Sequence, residues 1–546
     1  MFSPDKPTVK KTGWRVWVGL FLISLLVAVL AACFQPAPGY MDAEYYYSGG
    51  LRLAQGYGLT EEILWNYLDN PAGLPHPSHT YWMPLPSLLA AAGMRLLGQI
   101  NFNGARLFFI LLSALLPLLT GFISLKISGH KRHLYLSAGL ALFSGFYLIY
   151  TSNVETFTPL MVLGSLFLIV SFELFTPRLP WGVRACLMGG LAGFIHLTRA
   201  DGLLWLAAAG VLLVWRNKNQ VGKRLEFFIP KIFANAVLLL AGYFLVTGFW
   251  YFRNWQEFHT LLSPGGQQAL WLVDYDQTFI YPAGGLTFSS WLASGLGQII
   301  LIRLQALSDN LKTALAIQAE IFLLPLILMG VYKSRREPFV YLMGGLWLVI
   351  LFVMSFIFPF AGSRGGFFHS GSGLQVFFWA IAPIGLDGLI QWGVKKRGWK
   401  AYQAFPVFSA GLLVLSAGLT GMLFVQRVIG PDIKTPMWGA EQQVYQTIQQ
   451  EFKQAGGLKP GDIVMVNNPP GYYAATGQPA VVIPFGGMEA LLSAAQRYKV
   501  CYLAVDSNNE KSYPELIQSP GNKPGFRYQG MANKVVLYHF DRSDCQ

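Results

Sequence analysis

Apolar residues along this chain gather in long unbroken runs instead of the alternating or one-faced patterns of soluble strands and helices. A helix needs about 20 mostly apolar residues to cross ~30 Å of hydrocarbon at ~1.5 Å per residue. Such runs lie near residues 14–34, 105–125, 134–150, 157–175, 182–197, 202–215, 229–250, 311–332, 339–360, 373–392 and 402–425, which predicts eleven spans and a mostly α, polytopic membrane helix bundle. The connections 35–104 and 251–310 are long, and each holds a shorter apolar stretch, 84–98 and 291–307, that reads as a helix lying in the membrane interface. From Pro431 the pattern changes to mixed polar sequence, with strand-like runs at 462–467, 480–484, 500–505 and 535–540 and a helical pattern at 441–452. The expected organisation is a membrane domain over 1–430 and a small soluble α/β domain over 431–546.

Charge gives the bundle a direction. With the N-terminus in the cytoplasm, the span ends on that side carry 21 Lys and Arg, among them Lys6, Lys10, Lys11, Arg178, Arg184, Lys223, Arg224, Lys333 and Lys395, against Asp5, Glu173, Glu226 and Glu337. Residues 431–546 hold ten basic and ten acidic groups, so the whole net charge of +13 belongs to the membrane part. That excess is a topology signal and not a nucleic-acid footprint. An odd number of spans places the C-terminal domain outside the cytoplasm, in a multi-pass protein of the cell membrane, with lipid as its surroundings. The composition, 53% hydrophobic and 12% charged, excludes a soluble globular or a disordered chain. Leu30-Ala31-Ala32-Cys33 fits a lipoprotein cleavage motif, but the apolar run before it is long for a signal and reads as a span. Cys501 and Cys545 fall in the outer domain, where a disulfide is permitted, and the four cysteines suggest no metal site.

Most acidic residues of the membrane half map to the outer face, where they meet Arg52, Arg199, Arg253, Arg303 and Arg364 and the histidines His76, His79, His259 and His369. Ionisable groups gathered at one face of a hydrophobic bundle mark a functional site, with solvation of loop ends as the plain alternative. Pro38-Gly39-Tyr40-Met41-Asp42-Ala43-Glu44-Tyr45-Tyr46-Tyr47 follows the first span and continues as Leu51-Arg52-Leu53-Ala54-Gln55-Gly56-Tyr57-Gly58. Later come Pro75-His76-Pro77, Tyr81-Trp82-Met83-Pro84-Leu85, Asn153-Val154-Glu155, Thr198-Arg199-Ala200-Asp201-Gly202, Phe252-Arg253-Asn254 and Arg364-Gly365-Gly366-Phe367-Phe368-His369-Ser370. In order and sidedness, over roughly residues 10–430, these segments resemble the polytopic GT-C glycosyltransferases, the superfamily of protein mannosyltransferases and lipid A aminoarabinose transferases. In those enzymes the first external loop opens with an Asp, often with a second acid beside it, ahead of a Tyr-rich helix. The resemblance implies a transferase that moves a sugar from a membrane-bound polyprenyl phosphate to an acceptor, unidentified by the sequence, on the extracytoplasmic face.

Displacement at an anomeric carbon needs a base for the acceptor's proton, a positive environment for the leaving phosphate, and a pocket that aligns both substrates. Asp42 is the candidate base, and capping a helix that begins at Ala43 is its structural alternative. Glu44 is the candidate second catalytic acid; in a helix it points about 200° away from Asp42, so the two share one site only if the turn is extended there, and it departs from the adjacent pair of the family. Glu155 matches a second family acid that orients the acceptor or a divalent metal; a favourable charge at a helix N-terminus is the alternative, and metal dependence is left open. Arg364, Arg253 and Arg199, with His369, are candidates for the donor phosphate or for snorkelling to headgroups. Tyr45, His76, His79 and Trp82 are candidate substrate contacts. The histidines match no zinc spacing and otherwise read as surface-loop residues, the aromatics as an interfacial belt. Asn467-Asn468-Pro469-Pro470-Gly471-Tyr472-Tyr473 is a candidate acceptor contact of the C-terminal domain, and its Asn, Pro and Gly content reads as a turn. Two other classes compete. A transporter or flippase of lipid-linked saccharide requires charged or broken helices near mid-bilayer, where the sequence offers only Glu320 and, toward the cytoplasmic end, Asp387. A membrane receptor with an outer ligand-binding domain leaves the acidic first loop unexplained.

Overall fold

The computed structural model describes residues 12–173, 179–218 and 225–545. Asp5, Lys6, Lys10, Lys11, Arg178, Lys223 and Arg224, and the end of the expected span 157–175, lie outside them. The chain is mostly helical and divides into two compact units. One comprises Met1–Cys33, Phe108–Arg253 and Ile302–Val428; the other comprises Phe34–Leu107, Asn254–Leu301 and Ile429–Gln546. The C-terminal segment thus shares a unit with the two long connections.

Among the described residues, six helices are long and apolar enough to cross a membrane: Trp14–Cys33, Phe102–Ser128, Pro230–Phe258, Pro338–Ile357, Gln375–Arg397 and Ala401–Ile429. The pair Lys131–Leu142 and Gly145–Thr151, bent by 49°, makes a seventh if counted as one span. Length and composition therefore give six or seven spans where hydropathy runs give eleven. The difference lies in the short apolar helices Phe157–Ser171, Ala200–Trp215 and Leu324–Lys333, and in Trp181–Thr198, whose 18 residues suffice in length but are less apolar. The eighth expected span, 311–332, breaks at Glu320 and Ile321, both in the left-handed region at φ 46° and 58°. A hydropathy window averages across such a break.

In the second unit a six-stranded mixed sheet forms from β1 (Ile63–Leu64), β2 (Ile463–Val466), β3 (Ala480–Val482), β4 (Val500–Val505), β5 (Phe526–Ala532) and β6 (Val535–Phe540), in the order β1-β3-β2-β4-β6-β5. The first four pair in parallel, and β6 and β5 add antiparallel. β4 and β6 have the bounds predicted for them. β1 comes from the first long connection, pairing Ile63 with Ala480 and Leu64 with Val481. Alternation builds a core on each face: Val464, Val466, Tyr502 and Ala504 pack with Ile448 and Phe452 of helix Ala440–Gly456, while Met465, Leu503 and Val505 pack with Leu491 and Ala494 of helix Gly487–Arg497. Cys501 and Cys545 are joined by a disulfide. The stretch expected to be a turn is the start of a helix, Pro469–Thr476, with Asn468 as its N-cap; two prolines at the first positions of a helix need no N–H there.

The first unit is packed by close approach of helix backbones. A Cβ on Gly189 would meet the carbonyl oxygen of Leu239, and one on Gly385 that of Leu326. Helices without hydrophobic drive between them gain from such contact through dispersion, which requires small residues. Arg184, counted from sequence among the cytoplasmic charges, is 1% exposed. It donates to the Val170 and Ser171 carbonyls at the end of helix Phe157–Ser171, pairs with Glu173, and lies over the Trp181 ring at 4.4 Å. Gly385→Ala is expected to destabilise the protein by about 1–3 kcal/mol through overpacking, whereas Gly344→Ala, where nothing lies within 4 Å, should not. Melting curves of the two variants in one detergent check this.

Candidate functional site

The candidate residues fall into two groups, each within its own unit. In the second unit, helix Met41–Gln55 begins with Tyr40 as N-cap and no side-chain capping bond. Asp42 is therefore inside the first turn, half-buried, and the capping role considered for it does not hold. Glu44 is 5% exposed, and its Oε2 accepts from Asn468 Nδ2 at 2.9 Å. The same amide nitrogen lies 3.4 Å from Oε1 of Glu441, whose carboxylate also accepts from the Tyr445 hydroxyl. Burial pushes the Glu44 carboxyl up to about 8, with the charge of Glu441 adding to the shift and the Asn468 bond opposing it.

Tyr45, His79 and Trp82 pack together. The Tyr45 hydroxyl accepts from the His79 backbone N–H at 2.7 Å, and its ring lies 4.8 Å from that of Trp82, which stacks on Trp65 at 4.2 Å. His79 is fully buried, with Nδ1 2.7 Å from Ser78 Oγ and Nε2 3.0 Å from Ser87 Oγ, so both ring nitrogens are spent inside the unit. His76 stands between two carboxylates, Glu61 at 3.4 Å and Asp69 at 3.6 Å, on the two-stranded pairing of Thr60–Glu61 with His76–Pro77. Neither histidine is the surface residue that its loop position suggests.

In the first unit, the structure brings Glu155 and His369 together. Glu155 is 1% exposed; its Oε1 accepts from Thr156 N at 2.6 Å and Thr156 Oγ1 at 2.8 Å and lies 3.4 Å from His369 Nδ1. Burial alone would raise this carboxyl, but His369 and Thr156 hold it below the ordinary range, so it stays charged. The imidazole stacks on Phe157 at 4.1 Å. Arg364 is exposed on the segment Gly362–Gly366, which leaves helical geometry at Arg364 and at Gly365, φ 120°, a value that favours glycine. Arg199 donates to Asp201 at 2.9 Å and reaches the Gly366 carbonyl at 3.5 Å, so two of the three expected arginines border one segment. Arg253 lies 5.0 Å over the Trp250 ring. The sequence does not single out Thr156 or Glu441, and names Asn468 only within a stretch read as a turn. Asn468 ahead of Pro-Pro-Gly carries a cap signal, but nothing local announces that its amide meets a residue 424 positions away.

An acid whose proton affinity is raised by folding stabilises the fold most below its unfolded value. That contribution is lost as pH rises from the ordinary glutamate value near 4.5 toward about 8. Glu44→Gln, which fixes the neutral form, is expected to flatten this part of the stability profile, checked by thermal melts of the full chain across the interval.

No family model matches the chain, and no curated protein matches it. Solved structures do. ArnT from Cupriavidus metallidurans bound to undecaprenyl phosphate superposes with a TM-score of 0.51 at 13% identity, covering 97% of this chain and 99% of that one. The Archaeoglobus fulgidus oligosaccharyltransferase in complex with Zn and sulfate gives 0.51 at 12% identity, over 96% of this chain and 73% of its own. The archaeal oligosaccharyltransferase AglB from Archaeoglobus fulgidus, in complex with an inhibitory peptide and a dolichol-phosphate, gives 0.50 at 10%, over 97% and 75%. At these identities the likeness speaks for the fold alone: the chain has the fold of the ArnT and AglB structures.

Proposed function

We propose that the chain is a membrane glycosyltransferase that moves a sugar from a polyprenyl-phosphate-linked donor to an acceptor on the extracytoplasmic face. The observation that carries this reading is the group in the first unit: a buried carboxylate, Glu155, fixed by Thr156 and His369, and a glycine-bent segment that bears Arg364 and is reached by Arg199. Guanidinium groups stay charged beside lipid and offer the paired donors that a leaving phosphate requires. The fold supports the donor class, since the ArnT and AglB structures hold undecaprenyl phosphate and a dolichol-phosphate. In this reading Asp42 takes the acceptor's proton, Glu155 orients the acceptor or a divalent cation, and Arg364 and Arg199, with Arg253 as a further cation, face the phosphate. Tyr45, His79 and Trp82 hold the first-loop helix in place.

The same reading sets the N-terminus in the cytoplasm and the sheet-bearing unit outside. Counting the bent pair, the three short helices and Trp181–Thr198 as crossings gives eleven. The Cys501–Cys545 disulfide supports the outer placement, because such bonds persist in oxidising compartments. A flippase draws on one observation, Glu320, which is 3% exposed at a helix break and accepts from Trp379 Nε1 at 3.4 Å.

Purified protein is expected to bind undecaprenyl phosphate and to consume a polyprenyl-phosphate sugar in the presence of cell-envelope acceptors. Asp42→Asn should lower transfer about 10²- to 10⁴-fold with undecaprenyl phosphate binding retained, whereas Arg364→Gln with Arg199→Gln should weaken that binding. Undiminished transfer by Asp42→Asn, or movement of donor across proteoliposomes without transfer, would overturn the assignment. A reporter fused after Val425 should be active only outside the cytoplasm; activity inside would reverse the orientation.

A further inference from the structure

Residues 37–44, which carry Asp42, are gripped on two sides by the C-terminal segment. On one side the Trp438 indole donates to the Ala37 carbonyl at 3.0 Å, and its ring lies 5.9 Å from that of Tyr40. Gly39, at φ 83°, has no room for a Cβ against that indole. On the other side stands Asn468. Its Oδ1 accepts from the Gly471 N–H at 3.2 Å as the cap of helix Pro469–Thr476, which leaves Nδ2 to face Glu44 and Glu441. The cap thereby settles which way the amide points. A Cβ on Gly471 would lie 2.6 Å from Asn468 Nδ2 and 2.8 Å from Glu44 Oε2, so the backbone of that helix is pressed against the carboxyl it serves. Tyr445 fixes the neighbouring Glu441 carboxylate from behind.

We propose that Glu44 is a positioning residue: through Asn468, with Trp438 as the second grip, the C-terminal segment holds the first helical turn of the first loop and so fixes where the Asp42 carboxylate stands. The proposal assigns a task to residues 431–546 and to the Asn-Pro-Pro-Gly stretch within them. It deepens the glycosyltransferase reading and, in its catalytic part, rests on it. Glu44 lies two residues from Asp42 on a helix and thus on a different face, so one acid is held while the other is presented.

The test exploits the two ends of the Asn468 amide. Asn468→Asp keeps an oxygen for the helix cap and loses the donor to Glu44, and measurement above pH 8 keeps the Glu44 carboxyl ionised so that its own proton cannot bridge the two acids. In full-length protein in nanodiscs, amide exchange across the first turn of helix Met41–Gln55 should accelerate about tenfold. Glu44→Gln combined with Asn468→Asp restores a donor and acceptor in reversed order and should bring exchange back toward the parent rate. Trp438→Phe, which keeps a ring but loses the donor to Ala37, should loosen the same turn and serves as the comparison if Asn468→Asp does not fold. With a polyprenyl-phosphate sugar as donor, Asn468→Asp should lower kcat about tenfold with donor KM unchanged, a split that general loss of structure would not give. Unchanged exchange in both single variants, or no recovery in the double variant, overturns the grip. Changed exchange in a protein without transferase activity would instead leave the grip standing and remove the glycosyltransferase reading.

Discussion

An ionisable group taken out of water must find a partner or give up its charge, and this constraint shapes the chain wherever it buries one. Glu155 meets Thr156 and His369 and remains a carboxylate. Arg184 meets two carbonyls that a helix end leaves unpaired, so one side chain satisfies both itself and the helix terminus. Asp387 accepts from Arg132 and His133. Glu44 faces a second acid across a single amide and is driven toward its neutral form. Those at Glu155, Asp387 and Glu44 tie together segments distant in sequence, so these polar groups act as joints in an otherwise apolar structure.

Between the joints, contact is made by backbones that come close. Glycines at 189 and 385 let carbonyl oxygens of facing helices occupy the place of a side chain. In the second unit the equivalent economy is alternation along short strands, where a six-residue strand such as β4 contributes to two cores at once.

Apolar runs made the helical, membrane-spanning character legible because burial in lipid demands uniform composition over ~20 residues. The strands at 500–505 and 535–540 were legible by their own β-branched and aromatic content. The breaks within the apolar runs were not, because one such as that at Glu320 and Ile321 changes two backbone angles without changing mean polarity. β1 was not, since two residues carry no period. Of the candidate residues, the grouping of Glu155 with His369 followed from no local signal, and both were named because of the order of motifs. Asp42 was read against a cap that the helix does not use, for the start of a helix is known from sequence only to within a residue or two. His76 and His79 looked superficial because loops usually are, yet here a connection of about 70 residues folds back on itself and encloses them.

The sheet also has a history in time. Its outermost parallel strand, β1, is synthesised more than 400 residues before the strand it pairs with, β3. During translation the early strand waits with its backbone groups open while the helices between are made and inserted, and the late strands emerge with their edge at β3 uncovered until it is reached. A fragment beginning at Pro431 therefore lacks one strand of its own sheet and exposes a template for pairing with other chains. The sheet closes only when the first connection and the last segment meet, so the last segment cannot complete its own fold alone.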